Sequence, residues 1–231
     1  MVRGEYDICF RGLTLREAWR FSGEPFKFLL ALLLKAAAFK SGRVWLPTHE
    51  CEAPCTEAEL SPEARQDLLP VVNAARALGY TDGAFARAIR ILDPNMLQGF
   101  SYLALHRDHQ RGLFIGFVLN SAAGTTRRVI ALTGALVAAD GTNHEFLNHR
   151  QHFDSGGLTH KHQLSSRTVA DFDAAMQSFM ATARDTFRSF DNTAALKAYM
   201  QTVEDQTFEA RIARGLFRPS VGGATPAAPR H

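Results

Sequence analysis

The spacing of apolar residues changes twice along this chain, and no fold built from one element type accommodates that. From about residue 100 to 139 the apolar residues alternate or run in short blocks: "FSYLALHRD", "GLFIGFVLN" and "RRVIALTGALVAAD". On either side they recur every three or four positions. The first pattern suits strands and the second suits helices. "HQRG" between the first two blocks predicts a hairpin, and Asp140-Gly141 is a favoured turn pair. Strands in the middle and helices outside predict an α+β fold. Its antiparallel sheet comes from the middle of the chain, packed by N-terminal helices and a C-terminal helical pair.

The flanks carry definite punctuation. "EYDICFRG" (5–12) reads as a short strand. Thr14 and Glu17 have capping-box spacing, so a helix starts at Thr14. Pro25 suits the first turn of a second helix, reaching about Lys40. That helix holds "FLLALLLKAAAF" (28–39), apolar nearly all round, which predicts burial on most sides. The run is too short to span a membrane and Lys35 interrupts it, so no membrane partner is expected. Ser61, Pro62 and Gly79 bound a third helix, with Pro70 inside it. "YTDGAFARAIRILDPN" predicts another short helix ending before Pro94. Near the end, Val169, Phe172, Met176, Phe179, Ala183, Phe187 and Phe190 form one apolar stripe at helical spacing. A last helix follows Asp191-Asn192-Thr193. A single domain over 1–218 is the simplest count, with a helical part over 1–95 as the alternative and 219–231 as a flexible tail.

The chain has 231 residues, 46% of them hydrophobic, enough for one good core or a core plus a small unit. A formal net charge of +3 does not demand nucleic acid. Arg supplies 21 of the 26 basic residues, which with abundant Ala suggests a GC-rich, bacterial coding bias. Three cysteines do not make a secreted disulfide scaffold, so a cytoplasmic protein is expected. The apolar terminal helices offer more apolar surface than one layer covers, which makes a homo-oligomer an expectation.

Three segments offer chemistry. "HEFLNHRQHFDSGGLTHKH" (144–162) holds five of the nine histidines. His144-Glu145 and His149 miss the zinc-protease helix spacing, because five residues put the two imidazoles about 140° apart on a helix. Glu145, His149 and His152 share a face if the segment is helical. His160 and His162 share a face if they lie on a strand, and they are the better pair of ligands. A divalent metal there would be zinc, iron or manganese, set against a solvated surface hairpin. The second segment, "HECEAPC", offers His49, Cys51 and Cys55 as soft or borderline zinc ligands. Its acidic neighbours disfavour a thiolate nucleophile. The third, residues 74–92, is similar to a helix-turn-helix, with Arg87 and Arg90 on its second helix able to reach guanine or phosphate. Residues 48–100 sum to −4, which opposes DNA. The expectation is therefore a binding or regulatory protein without an evident catalytic motif. The alternatives are a metal-dependent enzyme using the histidines of 144–162 and a DNA-binding regulator through 74–92.

Overall fold

The computed structural model describes residues 4–22, 24–37, 39–46, 51–89, 95–122, 124–149, 157 and 159–220. In chain order the elements are β1 (Gly4–Cys9), α1 (Leu15–Ser22), α2 (Pro25–Ala36), β2 (Lys40–Leu46), β3 (Glu52–Cys55), α3 (Pro62–Ala77), β4 (Asp82–Ala88) and β5 (Met96–Leu105). They continue with β6 (Gly112–Ala122), β7 (Thr125–Val137), β8 (Asn143–Leu147), β9 (Thr159–Gln163), α4 (Val169–Thr182), α5 (Thr193–Ala213) and β10 (Phe217–Pro219). The α+β class is met. No described helix is long and apolar enough to cross a membrane.

The chain divides into two compact units. The first comprises Met1–Cys51, Gln151–Gly156 and Val203–His231, and the second Glu52–Arg150 and Gly157–Thr202. These bounds do not coincide with a helical part over 1–95, because the first unit draws on both ends of the chain. Pro219 and Ser220, placed in the tail by the sequence, belong to this unit: Pro219 ends β10, and the Ser220 backbone donates to Glu5 O at 3.0 Å. The rest of the expected tail, 221–231, lies outside the described residues.

The first unit holds a three-stranded antiparallel sheet in the order β10-β1-β2. Tyr6, Phe10, Leu13, Ala18, Ala31, Phe208, Leu216 and Phe217 form its core. The capping box forms as the sequence predicts: Thr14 N donates to Glu17 Oε2 at 2.7 Å, and Glu17 N donates to Thr14 Oγ1 at 3.1 Å. Gly12 is required by close approach, since a Cβ there would sit 2.1 Å from the Leu216 backbone nitrogen. Helix α2 departs from expectation. It ends at Ala36, only Ala31 is fully buried, and Phe26, Leu29, Leu30 and Leu33 are exposed.

The second unit is a seven-stranded sheet in the order β3-β4-β5-β6-β7-β8-β9. Every pair is antiparallel except β8 with β9, which is parallel. Helices α3 and α4 cover the sheet, and the core includes Leu68, Val72, Tyr102, Ile115, Phe117, Leu132, Phe172 and Met176. Ser61 caps α3 by accepting from Ala64 N at 3.2 Å, and the helix runs through Pro70. The Asp140-Gly141 turn forms, with Gly141 at φ 91° and Thr142 N donating to Asp140 Oδ1 at 2.8 Å.

Two expectations for this unit fail. The helix predicted from Tyr80 onward is strand β4, because Asp82–Ala88 pairs with β3 on one side and β5 on the other. Two ladders and the burial of Phe85 against Tyr102 outweigh the helix propensity of three alanines. The apolar stripe also outruns its helix. α4 stops at Thr182, and Phe187 instead makes a β-bridge with Ala138.

Candidate functional site

The histidine stretch is strand over 144–147 and 159–162, and none of its described residues is helical. β8 pairs antiparallel with β7 and parallel with β9, placing His144 opposite His160 and Phe146 opposite His162. Alternation along β8 puts His144 and Phe146 on one face, and His160 and His162 lie on that same face of β9. The rings gather there. His144 stacks at 5.4 Å on His160 and at 5.5 Å on His162 between centroids. His144 Nδ1 lies 3.3 Å from His162 Nε2, so the two imidazoles share one hydrogen bond. Phe146 stacks on His162 at 4.6 Å. From α4, Phe179 reaches His144 at 4.7 Å and His162 at 4.9 Å.

Exposure falls inward across the cluster. His160 is exposed, His162 is half-buried and His144 is buried. Burial lowers the His144 pKa, and His162 and His160 lower it further, while Asp185 and Asp140 act the other way. Burial and then His160 lower that of His162. Both imidazoles are therefore held neutral near pH 7, with a lone pair each. A proton taken up by either imidazole disfavours a second on the other.

The sequence-predicted ligands are divided by the sheet. His160 and His162 come together as the strand reading expects. Glu145 faces the other side, where it is in register with Lys161 and accepts from Asn143 Nδ2 at 3.2 Å. His149 follows β8, and burial and then Lys161 lower its pKa. Residues 143–147 are extended, so Glu145 and His149 do not share a helical face, and His152, the third member of that set, lies outside the described residues. The member that spacing missed is His144. Its signal is the parallel register of β8 on β9, which no local pattern displays. Among the described residues, no group of three or more His, Cys, Asp or Glu side chains is placed to hold a metal ion.

The other two segments are described only in part. His49 lies outside the described residues. Cys51 precedes β3, and Cys55 ends it, packed against the core. Burial raises the Cys55 pKa, and Glu59 adds to this, which suits a structural thiol. Arg87 is exposed on strand β4 rather than on a helix, and Arg90 lies outside the described residues.

A buried polar ring, not foreseen, closes the hairpin between β5 and β6. Arg111 Nε donates to Asp108 Oδ2 at 2.7 Å, and the guanidinium also donates to Asp173 and to His106 Nδ1 at 2.9 Å. The Tyr80 hydroxyl donates to Asp173 Oδ1 at 2.8 Å, and Gln177 Nε2 donates to Asp173 Oδ2 at 2.6 Å. His106 Nε2 lies 3.0 Å from Leu78 O, which fits a proton on that nitrogen and leaves Nδ1 as acceptor. Burial alone would raise the Asp108 pKa, but backbone N–H groups of Gln110 and Arg111 and the guanidinium hold it down at about 2. With its charges paired and its lone pairs engaged, this ring is a fastening of α4 and Tyr80 to the hairpin.

No protein-family model matches the chain, and neither does any curated protein or solved structure.

Proposed function

We propose that this is a binding or regulatory protein whose responsive element is the imidazole cluster of His144, His160 and His162. The observation that carries the reading is the 3.3 Å contact between His144 Nδ1 and His162 Nε2 beside the exposed His160. Neutral, partly buried imidazoles at the rim of a sheet respond to mild acid by taking up charge. That charge has to be accommodated between Phe146, Phe179 and β9. β9 is an end strand of the sheet, held on its paired side by β8 alone. It is the element such a charge would loosen. The test is hydrogen exchange at 159–163 on stepping from pH 7.5 to 5.5. Faster exchange that is absent in His162→Gln supports the reading, and unchanged exchange in the wild type overturns it.

A metal-binding protein or metal-dependent enzyme is the second reading, favoured by the same distance. Two imidazole nitrogens on one tetrahedral zinc, with bonds of about 2.0–2.1 Å, stand about 3.3 Å apart. Untagged protein with less than about a tenth of an equivalent of zinc, iron or manganese, and no thermal shift on adding them, would remove this reading. A reducing, cytoplasmic location fits a chain whose low, odd cysteine count, Cys9, Cys51 and Cys55, does not make a secreted disulfide scaffold.

A further inference from the structure

Between α4 and α5 the chain passes beside the imidazole cluster as a single layer. α4 ends at Thr182 and α5 begins at Thr193. Ala139 N donates to Thr186 O and Arg188 N to Val137 O, both at 2.8 Å, so 186–188 lies along the end of β7. Farther on, Phe190 N donates to His109 O at 2.8 Å, and His109 Nδ1 lies 2.9 Å from Phe190 O. Phe190 is buried and Thr193 N donates to Asp82 Oδ2 at 2.6 Å, which anchors that end. The near end is held less firmly. Arg184, Asp185 and Thr186 are exposed, and Phe187 reaches inward, 6.4 Å from His144 and 6.0 Å from Phe179 between ring centroids.

His144 lies between two electrostatic sides. On the β9 side, His162 and His160 oppose a charge on it. On the other side, Asp185 in this segment and Asp140 in the β7–β8 turn favour one. α4 presents the uncharged Phe179 here, and Glu145 and Lys161 lie on the other face of the sheet. Arg188 is occupied elsewhere, its guanidinium 5.0 Å from the Tyr199 ring centroid. Asp140 is also engaged, accepting from Thr142 N at 2.8 Å. Among the described residues, no hydrogen bond or ion pair engages the Asp185 carboxylate. A protonated imidazole is a donor at both nitrogens. His162 Nε2, 3.3 Å from His144 Nδ1, can accept from one of them. The other needs an acceptor at a site only 8% exposed.

We propose that residues 183–187 form a strap that closes in mild acid: when the cluster takes up charge, Asp185 moves onto His144 and draws the strap against the rings, while β9 loosens. This rests on the proton-responsive reading of the cluster and assigns its second moving part. The same charge that repels His160 and His162 attracts Asp185, so the two flanks of His144 respond in opposite directions.

The test uses the full chain, with hydrogen exchange read as protection factors at pH 7.5 and 5.5 and imidazole titrations followed by NMR. In the wild type, protection at 159–163 should fall with acid. Protection of the Ala139 and Arg188 amides should rise roughly threefold, the scale of one exposed ion pair. Asp185→Asn should remove that rise and move the His144 titration to lower pH, and Asp185→Glu should restore both. Asp185 is exposed, so the variants should melt as the wild type does at pH 7.5. Loss of protection at 159–163 with no gain at Ala139 and Arg188 would overturn the strap and leave the responsive cluster standing. So would a His144 titration that Asp185→Asn leaves in place, or that Asp140→Asn moves instead. Unchanged protection at 159–163 in the wild type would overturn both.

Discussion

Arg111 shows how much a single buried charge can depend on its neighbours. It is 6% exposed, yet its guanidinium meets Asp108, Asp173 and His106. Desolvating such a group costs several kcal/mol unless each partner is in place. Asp173→Ala would strand Arg111, the Tyr80 hydroxyl and the Gln177 amide together. Urea unfolding should register a loss of about 3–5 kcal/mol. Asp173→Asn keeps an acceptor for Tyr80 but removes the charge, and should lose less than the alanine variant. A loss below about 1 kcal/mol for Asp173→Ala would mean that Asp108 alone suffices for Arg111. None of this was legible in the sequence. Tyr80, Asp108, Arg111 and Asp173 are up to 93 positions apart, and only the arrival of α4 on the hairpin makes them neighbours.

At the scale of elements, the sequence was readable wherever a local rule decided the outcome. Thr14 with Glu17, Ser61 with Pro62, and Asp140-Gly141 each act within four residues, and each forms as expected. It misled where long-range pairing decided. "DGAFARA" has helix-forming composition, and β3 and β5 make it a strand. His144 joins His160 and His162 through a parallel register across a connection whose geometry no spacing encodes. The composition of α2, apolar all round, predicts a buried core helix, but only its Ala31 is fully buried. The stripe on α4 gives a graded check. Phe172 and Met176 are fully buried, whereas Phe179 is half-buried against the imidazoles. Phe172→Ala should cost about 3–5 kcal/mol, as truncation in a filled core does, and Phe179→Ala distinctly less. Equal losses in urea melts would place Phe179 in the same environment as Phe172 and contradict the exposure of the cluster.

For the whole molecule, the groups whose pKa values folding lowers fall into two classes that titrate in different windows, so stability should fall in two steps as pH drops below neutral. The histidine class has pKa values lowered by folding at His144, His149 and His162. Below the unfolded value of about 6.5 the unfolded chain binds more protons than the folded one, so stability declines as pH falls through that point toward the lowered values. Above about pH 7 both states hold neutral imidazoles and the contribution is flat. The carboxylate class has pKa values lowered at Glu59, Asp108, Asp140 and Asp171. Their stabilisation is fully present above the unfolded values near 4 and is lost as pH falls toward about 2, the value held by Asp108. Melting temperatures measured from pH 8 to pH 2 should therefore be level to about pH 7, decline through the histidine window, and decline again below about pH 4. His162→Gln keeps a polar side chain at the centre of the cluster but cannot take up a proton. It should shrink the first decline and leave the second as it is. A wild-type curve that is flat between pH 7 and pH 5 would show that protons enter the folded cluster as readily as the unfolded chain. The imidazoles would then be solvated in practice, and the proton-responsive reading of the sheet rim would fail with them.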